Sequence, residues 1–115
     1  MKRDMDLVRE LLLWMEGRSE HAFFLTELPS LSSRETMIAH AQILQSGGFL
    51  EQGQPGVLRI SWSGYEFLEK VRDPEIWRNT KAGAAKLGSW SVKILGEIAG
   101  ALIRSKAASL GIVLD

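Results

Sequence analysis

Cysteine is absent from this 115-residue chain, which excludes disulfides, thiolate metal sites and a cysteine nucleophile. Imidazole is scarce, with only His21 and His40, so general acid–base chemistry near neutral pH has few candidates. No phosphate-cradling glycine loop or zinc-ligand helix motif occurs, and Gly53-Gln-Pro-Gly56 reads as a hairpin turn. Together these absences predict a protein that is not an enzyme and needs no metal or cofactor. Asp4 and Asp6 stand where a signal peptide would run apolar, and no uncharged apolar stretch reaches membrane-spanning length. The expectation is therefore a cytoplasmic protein without a membrane partner.

One more thing is lacking: positive charge where a nucleic-acid reader would need it. The chain is neutral overall, yet residues 1–77 hold eight Lys/Arg against twelve Asp/Glu, while residues 78–115 hold six against two. With 45% hydrophobic and 24% charged residues, the composition supports a folded globular domain rather than a disordered one.

The apolar spacing turns that composition into elements. Asp4 caps a first helix to about Glu16, with Leu7, Val8, Leu11, Leu12, Trp14 and Met15 on one face and Arg9, Glu10 and Glu16 opposite. His21-Ala-Phe-Phe-Leu-Thr is a short strand pairing with a later hairpin, or a loop. Pro29 stops any helix from running straight through to residue 33, so a helix between Thr26 and Ser32 is degenerate. Ser32-Ser-Arg-Glu35 fits a capping box opening a helix closed by Gly47-Gly48. Leu58, Ile60 and Trp62 then alternate with Val57, Arg59 and Ser61 in a two-stranded wing over residues 49–62. Ser63-Gly-Tyr-Glu66 is a second capping box, with Trp62 and Phe67 as its hydrophobic staple.

Asp73-Pro74 starts a further helix that Leu87-Gly88 closes, and a last helix spans about Ser89 to Ala108. On that last helix only Lys93, Glu97, Gly100 and Arg104 form a polar stripe, leaving an apolar arc of roughly 200°. This arc is wider than one docking surface needs and, with the small-residue spacing Gly96 to Gly100, predicts a homodimer through Val92, Ala99 and Ile103. Trp14, Trp62 and Trp90 fall on apolar stripes and read as core, with Trp77 unassigned. The whole is an α+β, mostly helical winged helix-turn-helix with a short hairpin wing and two added C-terminal helices. Residues 1–72 form the winged-helix domain, and residues 73–115 a helical extension packed on the same domain or on a second copy.

Three blocks carry a family resemblance: the opening Met-Lys-Arg-Asp-Met-Asp-Leu-Val-Arg; His40-Ala-Gln-Ile-Leu-Gln-Ser-Gly-Gly-Phe-Leu; and Ile60-Ser-Trp-Ser-Gly-Tyr-Glu-Phe-Leu-Glu-Lys-Val-Arg-Asp followed by Trp77 and Lys81. The chain resembles a family of short bacterial and prophage-encoded proteins catalogued as domain of unknown function 2513. The resemblance implies a small, often phage-associated, winged-helix-like protein without catalytic residues. The helix around His40 is also similar to that of small winged-helix repressors. It departs from them at Gln42 and Gln45, where bases are expected.

Two functional readings follow. In one, a DNA-associated transcriptional regulator of prophage type lays Arg34, Thr36, His40 and Gln42 in a groove and Arg59 on the wing, while Lys81, Lys86 and Lys93 meet the backbone of duplex DNA. In the other, the same surface holds a protein, for instance a host regulatory or defence factor. Fold frequency favours the first and the acidic N-terminal two-thirds favours the second. Asp4 and Asp6 belong to helix capping rather than a cation site, and His40 is a polar-edge residue packing near the first helix rather than a metal ligand.

Overall fold

Asp4 opens the fold as the sequence predicts. In this computed structural model, which describes residues 1–20 and 22–114, its carboxylate accepts from the Leu7 amide at 3.2 Å. That bond satisfies one of the amides that every helix start leaves without a carbonyl partner. Helix α1 runs Met5–Glu16 and buries Leu7, Val8, Leu11, Leu12 and Met15. Arg9, expected on the outer face, is instead buried, with its guanidinium bonded to Glu10 at 3.0 Å.

A short strand follows, β1 (Phe23–Phe24), and then a single 3₁₀ turn, Leu25–Glu27. The strand alternative for this stretch is the one realised, although His21 lies outside the described residues. The 3₁₀ turn occupies the place of the degenerate helix, because Pro29 and the extended backbone at Leu28 leave no room for more. Helix α2 spans Arg34–Ser46. Its cap is Ser33, one residue later than the capping box places it: the Ser33 hydroxyl accepts from the Thr36 amide at 3.2 Å. The helix ends as the Gly47-Gly48 pair demands. Gly48 takes φ 83°, a left-handed conformation costly for residues with a Cβ, and the Phe49 amide reaches back to the Leu44 carbonyl at 2.8 Å.

Strands β2 (Leu50–Gln52) and β3 (Val57–Ile60) then form the hairpin. With β1 they make a three-stranded antiparallel sheet in the order β1-β3-β2. The register pairs Phe23 with Leu58 and Leu50 with Ile60, and all four side chains are buried. Phe24, Val57, Arg59 and Glu51 alternate onto the outer face. Helix α3 (Trp62–Val71) starts two residues after Ile60.

The second helical pair also follows its punctuation. Asp73 caps α4 (Pro74–Leu87), its carboxylate accepting from the Ile76 amide at 2.9 Å, and Gly88 closes it at φ 69°. Ser91 caps α5 (Val92–Ser109), so the last helix starts three residues later than expected. Helices α4 and α5 pack on each other, and an added Cβ on Gly83 would stand only 3.2 Å from Ile98. Leu95, Ala99 and Ala84 are fully buried.

The chain divides into two compact units, Met1–Leu68 and Glu69–Asp115. The division falls inside α3, four residues before the turn at Arg72 and Asp73 that the sequence marks. Among the described residues the architecture is α+β, five α-helices with one small antiparallel sheet. No helix among the described residues is long and apolar enough to cross a membrane.

Candidate partner-binding surface

The second helix and the hairpin beside it hold most of the residues that the sequence marks for binding. Arg34 and Gln42 are exposed, and Gln45 fastens the helix to the hairpin by donating from Nε2 to Gln52 Oε1 at 2.9 Å. Thr36 and His40 do not join them. At 100° per residue Thr36 lies roughly 120° and His40 roughly 160° around the helix from Gln42, so the four cannot share one face.

His40 is only 1% exposed. Its Nε2 accepts from the Asp4 amide at 3.0 Å, and its Nδ1 lies 2.9 Å from the Thr36 carbonyl. Since a backbone amide only donates, Nε2 is the acceptor and Nδ1–H donates to Thr36. The ring is a tie between α1 and α2, which corrects its expected place in a groove. The packing near the first helix is as anticipated, but the residue is enclosed rather than at an edge.

Arg59 reaches the outer sheet face, but its Nε donates to Glu51 Oε2 at 2.8 Å across the strands. A pair this exposed is worth little in stability, yet it cancels the hairpin's only base. On the helix, Arg34 is followed by Glu35, which is exposed too. The surface offers polar hydrogen-bonding groups with almost no net charge. Beside it a cleft of about 60 Å³ runs between the 3₁₀ turn and α2, lined by apolar side chains (Leu25, Leu28, Met37, Ile38) and polar ones (Ser30, Ser32, Arg34) together.

A separate charge cluster holds the loop after α1. Arg18 lies 4.8 Å above the Trp14 ring and pairs with Glu27 at 2.7 Å and Glu20 at 3.3 Å. Glu27 uses its other oxygen to accept from the Phe24 amide at 2.9 Å. A hydrogen bond from its own backbone, helped by Arg18, holds the Glu20 carboxyl below the usual glutamate range. All three side chains act on their own loop.

In the second unit Lys81 is half-buried with its ammonium 5.8 Å from the Trp77 ring centroid. Lys86 and Lys93 are exposed at the end of α4 and the start of α5. Of the residues marked for dimerisation, Val92 and Ile103 are half-buried, but Ala99 is 0% exposed within a single chain. Ala99 therefore belongs to the chain's own core and not to a dimer face. Among the described residues no group of three or more His, Asp or Glu side chains is placed to hold a metal ion.

Two tryptophans depart from the sequence reading, while Trp14 is half-buried with its ring edge-on to Phe23. Trp77, left unassigned, is 4% exposed, whereas Trp62, read as core, is 79% exposed and Trp90 38%. Trp62 misleads because it continues the inward alternation of Leu58 and Ile60. The helix begins at that residue, and the change of period turns the side chain outward. Its cap is Ser61 rather than Ser63: the Ser61 hydroxyl accepts from the Gly64 amide at 3.1 Å and donates to the Gly48 carbonyl. The signal for this was Ser61 itself, a capping residue directly after the last strand position.

A family model described as "Hypothetical protein (DUF2513)" matches residues 2–91, ending at the cap of α5. An "Uncharacterized protein" of Haemophilus influenzae is 32% identical over 90 residues, covering 70% of this chain and 76% of the relative. No solved structure matches the chain. The matched stretch takes in every element from α1 to α4, and on that ground the chain belongs to the DUF2513 family.

Proposed function

We propose that residues 1–68 are a non-catalytic winged-helix module that holds a protein partner across α2 and the hairpin. The order helix, short strand, 3₁₀ turn, helix, hairpin, helix, with the first strand closing a three-stranded antiparallel sheet, supports the winged-helix part of the reading. The observation that carries the choice of partner is charge. Residues 1–68 hold six Lys/Arg against nine Asp/Glu, Arg59 is neutralised by Glu51, and His40 is enclosed.

A duplex-DNA partner draws most of its affinity from phosphate neutralisation, and every phosphate left without a basic side chain lowers the salt slope by about 0.9. With Arg34 as the one base on this surface outside an ion pair among the described residues, the slope and the affinity would both be small. A neutral, hydrogen-bonding face beside a cleft of mixed polar and apolar lining suits a protein surface better.

The second reading, a DNA-associated regulator, is favoured by residues 69–115, where eight Lys/Arg outnumber five Asp/Glu. Gel shifts of the whole chain with random-sequence and genomic duplex DNA at low and moderate salt separate the two. The protein-binding reading expects no retention, or weak retention lost by ~0.15 M salt. Tight, sequence-selective binding that survives moderate salt would establish the regulator instead.

A further inference from the structure

We infer that the first turns of α3 carry a second docking surface, built from Trp62, Tyr65 and Glu66, whose occupant is an arginine-bearing segment of a partner protein. This surface lies on a different helix from the one in the functional reading above and does not depend on it.

The exposure of Trp62 is built into the fold. Ser61 is itself buried, at 7% exposure, and its hydroxyl joins the first turn of α3 to the Gly48 carbonyl while capping Gly64. Gly64 presses so closely on the preceding chain that an added Cβ would lie 2.3 Å from the Phe49 carbonyl oxygen and 2.8 Å from Ile60. Phe67, one turn further on, stacks on Phe49 at 5.1 Å between centroids. With these three anchors the helix cannot roll to bring Trp62 inward. The indole stays 79% exposed and Tyr65 44% exposed, on one face because they are three residues apart.

The charge beside them selects the occupant. Glu66, four residues after Trp62, shares that face, is exposed and makes no ion pair among the described residues. An indole face attracts a guanidinium through its ring quadrupole, and a carboxylate one helical turn away can take two of the guanidinium's N–H groups. The acid excess of residues 1–68 draws cations and repels acids over the whole unit. Tyrosine and tryptophan are also the side chains that carry most binding energy when a partner covers them. An acidic or wholly aliphatic segment would leave Glu66 unsatisfied.

The test uses the whole chain and a terminally blocked arginine–glycine repeat peptide, with glutamate–glycine and leucine–serine repeats as controls. Binding is read by NMR from the Trp62 indole N–H, identified by its loss in Trp62→Ala, with folding checked by circular dichroism. The arginine peptide should shift that resonance saturably at low salt. Trp62→Ala and Glu66→Lys should each weaken binding about fivefold to tenfold, and Trp90→Ala should leave it unchanged. Equal binding by the folded Trp62→Ala variant, equal response to a control peptide, or no response to arginine overturns the proposal. So does light scattering in which Trp62→Ala dissolves a self-associated species, since the occupant is then a second copy.

Discussion

A histidine on the polar margin of a helix invites a ligand or base-reading role, and His40 shows how burial decides against one. Both ring nitrogens are committed to backbone groups, one at the start of α1 and one a turn back in α2, so nothing remains for an outside partner. Removing the ring leaves the Asp4 amide without its acceptor and opens space beside α1. His40→Ala should cost about 2–4 kcal/mol, the sum of an orphaned donor and a small cavity. Thermal melts followed by circular dichroism should then show a drop of roughly 10 °C or more. A melt within ~2 °C of the parent would mean that the tie contributes little.

Among the elements, the seat of α3 depends on one position with no side chain. Gly64 sits in the first turn of that helix, where alanine would ordinarily help by stiffening the unfolded chain. Here the added methyl meets the Phe49 carbonyl, a backbone atom that cannot rotate away. Gly64→Ala is therefore expected to destabilise by about 1–3 kcal/mol, as overpacked sites do, and to shift the Phe49 and Ser61 amide resonances. A neutral or stabilised variant would show that the helix can lift off its seat. The same contacts explain why Trp62 is outside. The strand pattern alone carries it inward, but the helix that begins there is held by Ser61, Gly64 and Phe67 in an orientation that strand alternation does not contain.

For the whole molecule, the question is which apolar surface of α5 the chain itself covers. Ala99 is fully enclosed while Val92 and Ile103 are half-covered, so the three do not form one free face. Ala99→Asp places an unpaired charge in a closed core, at a cost of several kcal/mol that is comparable with the total stability of a small domain. Limited proteolysis should find cleavage after residue 69 sharply accelerated in that variant, whereas Ile103→Asp, with one side already open, should be milder. Dissociation of a dimer by Ala99→Asp with the monomer still folded would restore Ala99 to an interface.

Much of the fold is written in local signals. The caps Asp4, Asp73 and the glycine closures at Gly48 and Gly88 act within four residues along the chain, and their hydrogen bonds form whatever the distant sequence does. The hairpin follows from alternation and a turn for the same reason, and the family was legible from short blocks of sequence. Ser61 could have been preferred over Ser63 from its place directly after the last strand position, but the choice of Ser33 over Ser32 was not legible, because adjacent serines are equivalent until packing sets the helix phase. Nor was the fate of His40, Arg59, Ala99 and Trp62. Each depends on what stands opposite it from elsewhere in the chain: the Asp4 amide, the Glu51 carboxylate, the packing of α4 on α5, and the Gly48–Phe49 backbone beneath α3. Periodicity tells which side of an element is apolar, and only the assembled tertiary structure decides which polar groups are left free on the other side.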